Sequence, residues 1–405
     1  MQKKISIKLN NQKRVLEILR SSQQLSIAEI SEYAHVSKPT VKKIIDFYLE
    51  KGLVREAGKG SSTEEGGKKP SLFIFNKEYG CVVSVHLGPD FVYGVVTDLH
   101  GDIVHSLYTS LETKVFEEVF EFVVTTIQDL LGRVNEETTK ILGISLALPG
   151  IVDVTNGTSI FSPHFVEWGN DIPFKKLLEE RLRLGIPIHL ENVNRLQAYA
   201  EGIKGKAVGK RNYVIVDAIY EGLGAGIVFN GELYEGSEYL SGEVGHMVLM
   251  PDDGPECICG GRGCFEALVS LNRIHKRLRD YYDDSPDSFI YRRSGKDAVT
   301  IEDLFRAYKE GDRLAEVIMD DIIKWFAIGL NNVIMVYDPE MIILQGIYSD
   351  AGTDFLEKLR SKINQMSLPY LDRKVEIVFS NFGKERGIIG GAVYTLDKYF
   401  ETHSL

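Results

Sequence analysis

The stretch Gly245–Leu268 reads GHMVLMPDDGPECICGGRGCFEAL and holds three of the four cysteines of the chain. Cys257, Cys259 and Cys264 fall within eight residues, and His246 stands just upstream. One imidazole and three thiols make the donor set of a closed tetrahedral zinc site. Cys257 and Cys259 are two positions apart, so the chain must turn sharply between them; Gly260, Gly261 and Gly263 let it turn again before Cys264. The spacing predicts one structural Zn2+ per chain on His246, Cys257, Cys259 and Cys264. A buried reduced cluster and a redox pair between Cys257 and Cys259 are the alternatives. Cysteines clustered in this way are not the framework of a disulfide-stapled domain, and they point to a reducing cytoplasm. Cys81 lies in a strand pattern and reads as a small core residue.

On both sides of this loop, strands alternate with helices. Residues 79–109, YGCVVSVHLGPDFVYGVVTDLHGDIVHSLYT, read as two or three strands with tight turns at Gly88 and His100–Gly101. A helical run follows at 115–134, then a buried strand and loop, ILGISLALPGIVD, at 141–153. The pattern then restarts: RNYVIVDAIYEGLGAGIVFNGELYEG, 211–236, is strand, glycine turn, strand and a turn at Asn230–Gly231. After it come a helix-rich stretch (266–335), the strand PEMIILQG, a helix around Phe355–Ile363, the strand KVEIVFS and a final helix in GIIGGAVYTLDKYF. This alternation implies an α/β architecture of two similar halves. At 405 residues and 44% hydrophobic the chain can bury two or three cores, and no window approaches the roughly 18–20 apolar residues of a membrane span. The start, MQKKISIKLNNQKR, has positive charge but no apolar run, so it does not read as a secretory signal.

The first 76 residues differ from the rest. They carry 14 Lys+Arg against 8 Asp+Glu, whereas the remaining residues carry 33 against 50. A basic head on an acidic body suggests that the head meets a polyanion. Val15, Leu16, Ile18 and Leu19 form a helical stripe, and Ser26 with Glu29 has capping-box spacing. In the next helix Ser37 is the expected N-cap, Pro39 lies in the first turn, and Gly52 ends the helix. The two short helices joined through AHVS have the size of a helix-turn-helix. The second presents Ser37, Lys38, Thr40, Lys42 and Lys43, where such motifs read the major groove. GLVREAGKGSSTEEGGKKPSLFIFN then reads as strand, tip and strand: a wing whose Lys68 and Lys69 reach phosphates or a minor groove. The alternative is a winged helix that docks protein.

Residues from about 77 to 400 resemble the ROK family of repressors and sugar kinases, and SGEVGHMVL…CICGGRGCFEAL is similar to its GExGH…CxCGxxGCxE signature nearly residue for residue. With the winged helix in front, the chain resembles the repressor branch. The resemblance implies an all-α/winged helix-turn-helix domain at 1–76, followed by a bilobal actin/hexokinase-like (ribonuclease H-like) body. The expected lobes are 77–190, with 390–405 packing back on it, and 191–389 with the zinc loop. It also implies sugar contacts on Glu243, His246 and Glu266, with Asn192 and the Gly150 loop on the same side. The kinase apparatus departs from the family pattern. The E-N-D base motif reads Glu191-Asn192-Val193, the first phosphate loop carries Pro89, and the second has Tyr220 and Glu221 for glycine and threonine. The later L-G-G reads Leu344-Gln345-Gly346. Valine cannot accept a proton and a carboxylate repels phosphate, so no catalytic residue is expected. The resemblance thus implies a cytoplasmic homodimeric or larger repressor of carbohydrate genes, bound to operator DNA and released by a sugar. A regulator controlled by a partner protein is the rival reading, and an active ATP-dependent sugar kinase the weaker one.

Overall fold

The head is built on three helices, α1 (Gln2–Ser21), α2 (Ile27–Ala34) and α3 (Lys38–Lys51), with the short strand β1 (Leu25–Ser26) between the first two. The computed structural model describes residues 2–60, 69–135, 139–219, 222–292, 295, 298–366, 375–383 and 385–402. The capping box forms at α2: Glu29 N–H donates to Ser26 Oγ (3.3 Å) and Ser26 N–H to Glu29 Oε2 (2.8 Å). Those bonds hold the Glu29 carboxyl below its ordinary range. His35, left-handed at φ 52°, turns the chain into α3. Ser37 occupies the N-cap position of α3 but makes no capping bond; its hydroxyl instead meets Thr40 Oγ1 at 2.9 Å. Gly52, at φ 78°, closes that helix. Strands β2 (Val54–Lys59) and β3 (Ser71–Phe75) complete an antiparallel sheet in the order β1-β3-β2. The expected Lys68 lies outside the described residues, as do Gly66 and Gly67.

Val15, Leu19, Ile30, Val41, Ile44 and Ile45 fill the head, each less than 5% exposed. Burial of such a side chain contributes about 1.5–3 kcal/mol. The same core runs on through Val82, Leu99 and Leu142 to Ala392 and Leu396 of the C-terminal helix. Arg20 bonds Asp397 at 2.9 Å there, with 12% and 14% of the two side chains exposed.

By contact the chain divides into two compact units, residues 1–147, 173–190 and 391–405, and residues 148–172 and 191–390. The first unit carries an antiparallel meander, β4 (Gly80–Leu87), β5 (Phe91–Thr97) and β6 (Ile103–Ser110). Helix α4 (Phe116–Leu131) buries Val119, Val123 and Ile127, and β7 (Lys140–Leu148) pairs parallel to β4. The hairpin β8 (Ile151–Asp153) and β9 (Thr158–Phe161), helix α5 (Phe174–Leu182), strand β10 (Ile188–Asn192) and helix α6 (Val193–Lys204) follow in the chain.

The second unit repeats the plan. Strands β11 (Tyr213–Ile219), β12 (Gly222–Phe229) and β13 (Glu232–Leu233) form a meander. Helices α7 (Phe265–Val269), α8 (Leu271–Asp280), α9 (Ile301–Lys309) and α10 (Arg313–Tyr337) precede β14 (Met341–Gly346), which pairs parallel to β11. Helix α11 (Thr353–Met366), β15 (Glu376–Phe379) and the C-terminal helix α12 (Arg386–Thr402) close the chain. The sheet orders β10-β7-β4-β5-β6 and β15-β14-β11-β12-β13 match position for position. The fold is therefore α/β, with the repeat that the restarting sequence pattern implied. Phe265, Phe326, Tyr348 and Phe355 centre the second core, with Phe265–Phe326 and Phe326–Tyr348 edge-to-face at 5.4 and 4.8 Å.

Candidate metal and effector site

The cysteine loop and the turn before it meet on β12. Gly242 and Gly245 make the approach possible: a Cβ on Gly242 would stand 2.1 Å from Ala225 O, and one on Gly245 2.0 Å from Leu223 O. Gly242 also needs its φ of 95°. The turn between them places Glu243 and His246 side by side, with Glu243 Oε2 3.7 Å from His246 Nε2.

The other ring nitrogen of His246 faces the thiols. His246 Nδ1 is 3.7 Å from Cys257 Sγ, and Cys259 Sγ is 3.8 Å from Cys264 Sγ. All four donor atoms lie within 4.8 Å of one another. Bonds of about 2.3 Å to sulfur and 2.0–2.1 Å to nitrogen give a tetrahedral ion donor separations of about 3.5–3.8 Å. The residues fit that ion, and the sulfurs are well beyond a disulfide bond of about 2.05 Å. Burial lifts the Cys257 thiol above its ordinary range. Against the effect of burial, the Gly261 N–H and the neighbouring thiols draw down Cys259, the exposed member of the set.

Glu266 is the second residue of α7, two positions after Cys264. It is 8% exposed and accepts the Leu223 N–H through Oε2 at 2.8 Å, while Cys257 Sγ is 3.6 Å from Oε1. Glu266 therefore supports the thiol cluster and fixes the start of β12. Burial raises the Glu243 carboxyl, Glu266 adds to that and His246 opposes it.

Asn192 and Gly150 also come together. Asn192 Nδ2 donates to Gly150 O at 2.7 Å, and Asn192 Oδ1 caps α6 by accepting from Asn194 N (2.8 Å) and Arg195 N (3.2 Å). Beside them sits a residue that sequence reading passed over. Arg195 is 1% exposed and bonds Glu191 Oε1 (2.6 Å), Val152 O (3.1 Å) and Tyr239 O (3.3 Å). Glu191 stands four positions before it, on β10 rather than on α6, so the pair carries no helical spacing signal. Burial pushes the Glu191 carboxyl up to about 7, against the pull of Arg195 and the Asn192 N–H.

Several positions that the resemblance assigns to the kinase apparatus lie in the second unit. Val193 is the first residue of α6. Gln345, 2% exposed, donates to Gln197, also buried. Asp217 on β11 is paired with Arg386 at 2.8 Å. Tyr220 and Glu221 lie outside the described residues. On the head, Ser37, Lys38, Lys42, Lys43 and Lys69 are exposed and Thr40 is half-buried. No helix among the described residues is long and apolar enough to cross a membrane.

A model of the ROK family matches residues 82–398. The chain belongs to the ROK family. The xylose repressor of Bacillus spizizenii is 27% identical over 395 residues, spanning 98% of this chain and 97% of the relative. The glucokinase of Thermotoga maritima is 31% identical over 273 residues, 65% of this chain and 84% of the enzyme. Among solved structures, a ROK family transcriptional regulator described as a homologue of the E. coli MLC protein superposes with a TM-score of 0.81. It covers 98% of this chain and 97% of its own at 23% identity, a likeness of fold that includes the head.

Proposed function

We propose that this ROK protein is a sugar-responsive transcriptional repressor of carbohydrate uptake or utilisation genes. Its head binds operator DNA through Ser37, Lys38, Thr40, Lys42, Lys43 and the wing lysines Lys68 and Lys69. A sugar or sugar derivative contacts Gly150, Asn192, Glu243, His246 and Glu266 and shifts the population toward a form that releases DNA. Zn2+ on His246, Cys257, Cys259 and Cys264 is structural, and it fixes the His246 ring so that Nε2 faces the sugar. The chain works in the cytoplasm as a homodimer or larger assembly and reads a two-fold operator.

One observation carries the choice of repressor over kinase. The sugar-side groups stand in a bonded framework, yet Val193 heads α6 where the family's kinases place their base. Glu191 is a poor substitute, because it is 1% exposed and Arg195 and the Asn192 N–H hold its Oε1. The name of the xylose repressor and the match along 98% of the chain support the same reading. A thermal-shift panel of pentoses, hexoses, inositols and disaccharides, with and without ATP and Mg2+, tests it. Stabilisation by a sugar and no phosphorylated product is the expected result. ATP turnover with any sugar overturns it.

A further inference from the structure

Arg195 is the bulkiest fully buried side chain among the described residues, and it carries a charge. Burying a guanidinium costs several kcal/mol unless its donors are met. Here they are met by three separate segments. Nε reaches Glu191 at the end of β10, a second nitrogen reaches Val152 O on β8, and a third reaches Tyr239 O in the loop after β13. Each of these segments bears a proposed sugar contact close by. Glu191 precedes Asn192, Val152 lies two residues after Gly150, and Tyr239 lies four before Glu243. The framework closes on itself, because Asn192 Oδ1 caps the Arg195 N–H while Asn192 Nδ2 holds Gly150 O. Tyr239 is itself in a left-handed conformation at φ 59°, uncommon for a bulky residue, and its hydroxyl bonds Thr155 Oγ1 at 2.9 Å.

We infer that Arg195 is the positioning residue of the effector site, locking the Gly150 loop, the Asn192 turn and the Tyr239–Glu243 loop into one rigid wall. It touches no sugar; it sets the distances between the groups that do. The inference rests on the reading of this site as a sugar receiver, but the framework itself can be tested without a sugar. A lysine has one compact donor group and cannot span three acceptors as the planar guanidinium does.

The test uses the full chain. Arg195→Lys is compared with the double variant Glu191→Met/Arg195→Met, which leaves no unpaired buried charge if the single variant folds poorly. Hydrogen exchange is read over residues 149–153 and 239–243, with 257–264 and 341–346 as internal controls. We expect both loops to exchange at least about tenfold faster in each variant, with the controls, the zinc content and the operator affinity unchanged. Exchange in the two loops equal to the parent, or a uniform acceleration of all four segments, overturns the inference. D-xylose is then titrated as the probe. If the parent binds it, the variants should bind at least about tenfold more weakly, and equal binding also overturns the inference. A parent that ignores D-xylose while the variant loops loosen counts only against D-xylose as the effector.

Discussion

Truncating Glu243 should separate the proposed reception of the sugar from operator binding and metal content. Its carboxylate stands 3.7 Å from His246 Nε2, on the opposite side of the ring from the thiols, and 32% of the side chain is exposed. Glu243→Ala therefore removes no zinc donor and opens no sealed cavity. In the proposed function, what it removes is a charged acceptor for sugar hydroxyls. Such a bond is worth about 1.5–3 kcal/mol, and each 1.4 kcal/mol is a factor of ten. Sugar affinity should fall about ten- to a hundredfold. Isothermal titration with the sugar, fluorescence polarisation with the operator and elemental analysis read the three quantities apart. Operator affinity without sugar and one zinc per chain should be unchanged, so the variant represses when the parent no longer does. If Glu243→Ala releases DNA at the same sugar concentration as the parent, this carboxylate is not the receiver. A partner protein then becomes the better candidate for the signal.

Three further outcomes follow from the geometry. Cys264→Ser, at a 2% exposed donor, should lose the metal and lower the melting temperature of the second unit, because the loop's closure rests on the ion; full zinc content in that variant would refute the site. Replacing the exposed Lys42 or Lys43 by Ala should lower the salt slope of operator binding by about 0.9 per lost phosphate contact, measured from 50 to 200 mM salt. Burial, with Lys175 and Lys398, holds His189 down at about 4, against 6.5 unfolded. The unfolded chain thus binds the extra proton first, and up to about 3 kcal/mol of stability present above pH 6.5 is lost as the pH falls toward 4. His189→Gln should flatten that loss in urea melts at pH 7 and 4.5.

The meeting of His246, Cys257, Cys259 and Cys264, with Glu243 and Glu266 beside them, was legible because all six belong to one local signature, where spacing limits which side chains can meet. The repeated sheet was legible for a similar reason: strand, turn and strand recur with glycine or Asn-Gly at the reversals, and Asn230 and Gly231 both have the positive φ such a turn demands. Ser26 with Glu29 formed its capping box, whereas Ser37 did not cap, since its hydroxyl found Thr40 instead. Arg195 escaped because two of its three acceptors lie 43 and 44 residues away along the chain and are backbone carbonyls, which carry no sequence signal. The side-chain bond between Arg20 and Asp397 was hidden by separation alone, 377 residues along the chain. Gln345 read only as a spoiled glycine motif; its buried partner Gln197 sits on a different element.

In the proposed function, one chain joins operator binding to sugar reception. The most direct measurement is the operator dissociation constant of the purified zinc-loaded protein, on a DNA fragment selected from its own genome, with and without a saturating sugar from the thermal-shift panel. At least a tenfold weaker complex is expected with the sugar present, and the same shift with ATP omitted. An operator affinity that no sugar moves, or a shift that requires ATP, would contradict that function.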